Sequence, residues 1–217
     1  MNKKQFVVIG IGRFGASVAR TLYTMGYDVM AIDIDEEVIE EMKDEVTYGI
    51  AADAQETRIL ESLGVRNLDV AVVAVGNDIQ ASILISLALQ EIGVPKVVAK
   101  AIDDRHGRLL EKLGVDKIIY PERDMGERLA HYLVSTNLLD YIAISDKYSL
   151  SEVIASDRLI NKTLKETNLR VKYGVNVIAL KRGERLIISP PGEEFIKADD
   201  VLICIGKTSD MDKFALM

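Results

Sequence analysis

The run Gly10-Ile11-Gly12-Arg13-Phe14-Gly15 constrains this chain most, because of what flanks it. It follows Gln5–Ile9, an apolar, β-branched stretch that reads as a buried strand. It opens a helix over Phe14–Met25, where Phe14, Val18, Leu22 and Met25 recur at helical spacing and Gly26 marks the stop. A second strand, Asp28–Ile32, runs into Asp33, 18 positions beyond Gly15. A G-x-G-x-x-G match alone says little. Between a strand and a helix, with an acid closing the next strand, it specifies a nucleotide-binding βαβ unit.

The alternation continues. Asp35 is placed to cap a helix over Glu36–Lys43. Short strands are expected at Gly49–Ala52, Val70–Val75, Lys96–Lys100 and Lys117–Tyr120. Helices are expected at Glu56–Leu63, Ile79–Ile92 and Asp104–Leu113, each ending in a Gly-Val step at Gly64, Gly93 and Gly114. Near-continuous apolar strands separated by amphipathic helices imply a parallel sheet covered on both faces. After Pro121 the texture changes. One longer helix, Met125–Leu139, with Leu129, Tyr132, Leu133 and Leu138 on or near one stripe, leads into short strands at Tyr141–Ile144, Ser149–Ile154, Asn176–Lys181, Arg185–Ser189 and Val201–Ile205. A short helix is expected around Lys162–Thr167. The fold class is therefore α/β, a Rossmann-type parallel sheet followed by a small α+β C-terminal domain. The expected division is 1–123 for the nucleotide-binding domain, 124–140 for a connecting helix and 141–217 for the second domain.

Composition excludes several functions. Acids outnumber bases 23 to 15 in residues 1–140, within a net charge of −7, so the first domain carries no basic nucleic-acid footprint. No run approaches the roughly 18 apolar residues of a membrane span, and the apolar stretch after Lys3 and Lys4 ends at Gly10, too soon for a signal peptide. The expectation is a cytoplasmic protein without membrane insertion of its own. A single cysteine, Cys204, inside a strand, rules out a disulfide framework. The two histidines, His106 and His131, lie on expected helices, where a surface position is the ordinary one. No catalytic set emerges, so the chain reads as a binding protein and not an enzyme.

The glycines of the loop let backbone approach a diphosphate, and the helix start offers free N–H groups. Asp33 can accept from both ribose hydroxyls and repels a 2′-phosphate, which disfavours NADP. Arg13 either forks onto phosphate oxygens, where ATP gains more than NAD, or stands solvated at the helix start. Lys100 either neutralises a phosphate or pairs with an acid. Gly76 and Asn77 either admit a ligand or make an ordinary turn. Glu122 cannot favourably face a phosphate unless a cation lies between them; either it holds a bridging Mg²⁺ or Ca²⁺, or it is a surface carboxylate or a partner of Arg123. The expected nucleotide-contacting set is Gly10, Gly12, Arg13, Phe14, Gly15, Asp33, Ile34, Asp35, Ala52, Asp53, Ala74, Val75, Gly76, Asn77, Lys100, Arg105 and Glu122. The stripes Ile83, Leu84, Leu87 and Leu129, Leu133 fit either a subunit interface or a monomer core, and core is the default for such stripes. The competing functional class is a small NAD(H)-dependent oxidoreductase or a sensor of NADH against NAD.

Phe6–Asp35, with its arginine inside the glycine loop and Ala31-Ile32-Asp33-Ile34-Asp35, resembles the RCK (regulator of potassium conductance) family. The likeness is closest to the cytosolic gating subunits of bacterial Ktr and Trk-type potassium uptake systems. Asn77–Ser82, Tyr120–Gly126 and Arg170–Asn176 match as well, so the resemblance spans essentially the whole chain. It implies homodimers assembling into an octameric ring beneath an integral membrane potassium channel subunit, at the inner face of the membrane. It implies ATP and ADP competing for the Rossmann site, Arg13 on the terminal phosphate, Asp33 on ribose and Glu122 on an activating divalent cation. It also implies cyclic di-AMP between two C-terminal domains, at positions Arg170, Asn176 and Pro191. The Lys181–Ser189 hairpin lacks the histidine that some relatives use there.

Overall fold

The computed structural model describes residues 3–134, 137–145 and 147–216. The chain divides into two compact units, Met1–Glu122 and Arg123–Met217. In the first, β1 (Gln5–Ile9), β2 (Asp28–Asp33), β3 (Tyr48–Ala51), β4 (Val70–Val73), β5 (Val97–Lys100) and β6 (Lys117–Ile119) form one sheet in the order β3-β2-β1-β4-β5-β6. All its pairings are parallel, with Phe6 between Val29 and Val70. This strand order is the one in which ligands bind beyond the carboxyl ends of the strands.

Strand alternation splits the core between two faces. Val7 and Ile9 pack with Leu60, Ile85, Leu89 and Leu110, which belong to α3 (Thr57–Ser62), α4 (Ile79–Glu91) and α5 (Asp104–Lys112). Val8 packs with Ala19, Ile39 and Met42 of α1 (Arg13–Thr24) and α2 (Glu36–Met42) on the other face. Three aspartates fix helix starts: Asp35 accepts from Glu37 N–H at 2.9 Å, Asp78 from Ala81 N–H at 2.9 Å and Asp103 from His106 N–H at 2.8 Å. Each such cap is worth about 1 kcal/mol. The Gly-Val steps end their helices as the sequence suggests, with φ of +69°, +80° and +82° at Gly64, Gly93 and Gly114 and with Val65, Val94 and Val115 buried.

The second unit differs more from the sequence reading. Helix α6 covers Pro121–Val134, beginning four residues before the expected Met125. Proline suits a first helical position, where its missing N–H has no partner to lose. Leu138 is not on that helix; it opens β7 (Leu138–Ser145). The apolar stripes are also not core: none of the α6 residues is buried, Leu129 is 53% and Leu133 70% exposed, and Leu84 and Leu87 of α4 are 39% and 37% exposed. Strands β8 (Tyr148–Ile154), β9 (Asn176–Arg182), β10 (Arg185–Ile188) and β11 (Val201–Lys207) complete an antiparallel sheet in the order β10-β9-β11-β8-β7. Besides α7 (Leu164–Thr167), closed at its start by a Thr163–Glu166 capping box, two helices appear that the sequence reading did not place: α8 (Leu169–Tyr173) and α9 (Thr208–Ala215). Helix α9 buries Met211, Phe214 and Ala215 against Leu180, Leu202 and Cys204.

One polar cluster pins this unit. Asp200 is fully buried and takes a fork from Arg182, with Nε and Nη2 each at 2.8 Å, plus Lys197 N–H at 2.8 Å. Arg182 also reaches Glu194 at 3.0 Å and the Phe195 carbonyl at 2.8 Å. Burial opposes the Asp200 charge, but the Arg182 bonds outweigh it and hold the carboxyl below its ordinary range. Removing the guanidinium strands a charge inside, so Arg182→Met is expected to cost about 3 kcal/mol. Asp200→Asn, which leaves a cation that can turn to water, should cost less. Urea unfolding of the two variants checks the order, and equal costs would contradict it.

Candidate functional site

The chain leaves β1 at Ile9 and enters α1 at Arg13, and two glycines, one in the loop and one in the first turn of the helix, are sterically required. Gly10 has φ +89°, and a Cβ there would lie 2.9 Å from Val75 N. A Cβ at Gly15 would sit 1.9 Å from the Gly10 carbonyl oxygen, so helix and loop touch through backbone. Nothing stands within 4 Å of a Cβ at Gly12, the open side of the loop. Gly12 caps α1 without a side-chain bond, and no acid lies in the helix's first turn. The N–H groups and the positive dipole end of α1 are thus left for an anion.

Asp33 is tied to this loop. Its Oδ2 accepts from Ile11 N–H at 2.5 Å and its Oδ1 from Asp35 N–H at 3.0 Å. A carboxylate has about four lone-pair sites, so acceptor capacity for a ribose remains. Ile34 is 72% exposed beside it, while Asp35 is committed to capping α2. Ala52 N–H bonds the Asp33 carbonyl at 2.8 Å, and Ala74 N–H bonds the Ile9 carbonyl at 2.7 Å; both brace the strand ends through backbone. Asp53 closes on its own turn, accepting from Gln55 N–H at 3.0 Å. Asn77 is exposed just before the α4 cap. Arg105 is exposed in the first turn of α5, where it adds positive charge near Asp103.

A second cluster forms across the strand ends. Lys100 Nζ is 2.5 Å from Glu122 Oε1 and 5.8 Å from the centre of the Phe14 ring. A Cβ at Gly76 would come within 3.1 Å of that ammonium. The Lys100 bond, together with the Coulomb fields of Lys100 and Arg13, holds the Glu122 carboxyl below its ordinary range despite some desolvation. The structure thus gathers Arg13, Phe14, Gly76, Lys100 and Glu122. Of the readings open for Lys100, pairing with an acid is the one present, and Glu122 is the acid. Among the described residues, no group of three or more His, Cys, Asp or Glu side chains could hold a metal ion. Glu122 supplies one carboxylate, so any Mg²⁺ there would draw its remaining ligands from phosphates and water, a pattern usual for that ion.

His106 corrects the surface expectation, being 1% exposed. Its Nδ1 accepts from Ile102 N–H at 3.4 Å, and its Nε2 has no partner among the described residues. The spacing from His106 to Leu110, both buried on α5, was the available signal. Cys204 is buried, and burial pushes its thiol up to about 12, so no thiolate forms near neutrality.

In the second unit, Arg170 is exposed on α8, Asn176 opens β9, and Pro191 is exposed in the turn before β11. Asn176 lines a cleft of about 410 Å³ with Tyr148, Gly174, Ile205, Gly206, Lys207 and Asp210. Arg170 and Pro191 are not among the residues lining it.

A doubly covered parallel sheet, a sterically enforced glycine loop and an acid bound to that loop define a Rossmann-type α/β module with an appended antiparallel unit. Comparison with known proteins agrees. Residues 6–121 match the TrkA-N domain family and residues 150–216 the TrkA-C domain family. The chain is 45% identical to the Ktr system potassium uptake protein C of Bacillus subtilis, over 98% of this chain and 96% of that one. The GsuK RCK domain shares the fold at a TM-score of 0.69 and 15% identity, covering 99% of this chain and 47% of that one. The AMP-bound Kef C-terminal domain of Shewanella denitrificans is 27% identical at a TM-score of 0.52, covering 60% of this chain and 80% of that one. This chain belongs to the RCK family of Ktr and Trk-type potassium uptake proteins, which is not a family of enzymes.

His106 gives the first unit an acid sensitivity. Burial lowers its pKa from 6.5, while Asp103 opposes that only in part. The unfolded chain therefore takes up the proton first, and the associated stability is full above about pH 6.5 and is lost as pH falls from there toward the lowered native value. Thermal unfolding between about pH 7 and pH 5.5 should show this slope, and His106→Gln should flatten it.

Proposed function

We propose that this chain is the nucleotide-sensing regulatory subunit of a potassium uptake system and that ATP and ADP compete at its glycine loop. The observation that carries this reading is the cluster at the mouth of α1, where the Arg13 charge acts on Glu122 beside Lys100. Three groups suited to phosphates, one through a bridging cation, stand next to the free N–H groups of α1. The AMP named for the related Kef domain supports an adenine nucleotide, and Asp33 suits an unphosphorylated ribose. ATP differs from ADP by one phosphate, and a ligand shifts a conformational equilibrium only by its differential affinity for the two states. Arg13 is the residue through which that phosphate is sensed, and Mg²⁺ or Ca²⁺ joins ATP at Glu122.

The subunit acts as a homodimer that assembles into an octameric ring on an integral membrane potassium channel subunit, at the cytoplasmic face. The Ktr system membership named for the Bacillus relative supports the partner. Exposed Met125, Leu129, Leu133 and Val134 on α6, at 58%, 53%, 70% and 70%, support self-association, as contiguous apolar patches do. The working division stays 1–123 for nucleotide binding, 124–140 for connection and interface, and 141–217 for regulation. Cyclic di-AMP is proposed for the last segment, with Arg170, Asn176 and Pro191 drawn from two protomers.

Calorimetry with ATP, ADP, NAD and NADH tests the assignment. ATP and ADP should bind best, and Arg13→Ala should weaken ATP by about 1.5 kcal/mol, roughly tenfold, and ADP less. Tighter binding of NADH than of either adenine nucleotide would replace this reading with that of a redox sensor. Light scattering at increasing concentration tests assembly, and a monomer throughout would refute the ring.

A further inference from the structure

We infer that Lys100 is a tethered counter-ion for Glu122, and that a divalent cation engages Glu122 only after Lys100 has let go. This rests on the nucleotide reading above. The geometry treats the two partners unequally. The Lys100 side chain is 11% exposed, with its ammonium beside the Phe14 ring and in the space left by the missing side chain of Gly76. Glu122 is 71% exposed. The cation is therefore the fixed half of the pair and the carboxylate the free half. Arg13 adds a second positive charge to the field at the same carboxylate. In the free chain, the countercharge of Glu122 thus belongs to the protein itself.

Two consequences follow from charge alone. A metal ion approaching the other carboxylate oxygen meets an ammonium on the first, and like charges at such range repel. The free chain thus resists the metal. A nucleotide phosphate changes the balance, because it offers Lys100 a stronger acceptor than a single carboxylate. Lys100 bound to phosphate leaves Glu122 facing an anion, the one arrangement that calls for a divalent ion. Nucleotide and cation then bind with positive coupling, which must be reciprocal.

The test is calorimetric titration of ATP into the full chain across a series of MgCl₂ concentrations, with an EDTA control. Wild type, Lys100→Met, Lys100→Arg and Glu122→Gln are compared. Glu122→Gln should lose the strengthening by Mg²⁺. Lys100→Met should lower the Mg²⁺ midpoint by up to about fivefold, the worth of one partly exposed ion pair, and should weaken ATP in EDTA by a similar factor. Lys100→Arg should follow wild type. Lys100→Gln removes the same charge and replaces Lys100→Met if circular dichroism shows the latter unfolded. A wild-type midpoint in the charge-removing variant, with the Mg²⁺ effect lost in Glu122→Gln, overturns the counter-ion role and leaves the nucleotide reading standing. Persistence of the Mg²⁺ effect in Glu122→Gln, or no ATP binding by wild type, overturns the reading beneath it.

Discussion

The grip of Asp33 on the Ile11 N–H is the contact on which the rest of the first unit is organised. It is short, charge-assisted and joins residues 22 apart, so it fixes the end of β2 against the loop that follows β1. Because the Asp35 N–H closes on the same carboxylate, the start of α2 is set by that bond too. The glycines make the arrangement possible: any side chain at Gly15 would collide with the Gly10 carbonyl, and the loop could not bring its N–H groups together. One carboxylate thereby orders the loop and positions a helix, with lone pairs left over.

Electrostatics separate α1 from α2, α4 and α5, though not from α3, which also starts without a side-chain cap. α2, α4 and α5 each begin with an aspartate that consumes an N–H group. α1 begins with a glycine and carries no acid in its first turn. In a chain with net charge −7, that restraint is local and sits beside Arg13 and Lys100. An acidic protein can hold an anionic ligand because the field near the ligand, and not the total, decides binding.

Much of this was legible in the residues. Near-continuous apolar runs in the strands and a 3.6 period in the helices, with glycine stops, located the first sheet and the ends of its strands, because each strand there is buried on both faces and each helix on one. The second unit was less legible for physical reasons. α6 starts at a proline, a residue that also stops helices, and its apolar side chains face outward, so the stripe that normally reports a core reported none. α8 has five residues, too few for periodicity to register, and α9 shows only Met211, Phe214 and Ala215. In the site, Asp33, Arg13 and the glycines followed from order along the chain. The Lys100–Glu122 pair joins residues 22 apart across two strand ends, so spacing could raise both roles for Lys100 without choosing one. His106 was misjudged because its polarity outweighed its placement four residues before the buried Leu110.

The outward-facing leucines and valine of α6 have a consequence for handling the protein. Apolar surface that a lone chain leaves wet is surface that association removes from water, and mass action then links folding to concentration. Under the proposed self-association, melting temperatures taken on dilute and concentrated samples would describe different equilibria, and a midpoint quoted without the protein concentration would not be a property of the polypeptide alone.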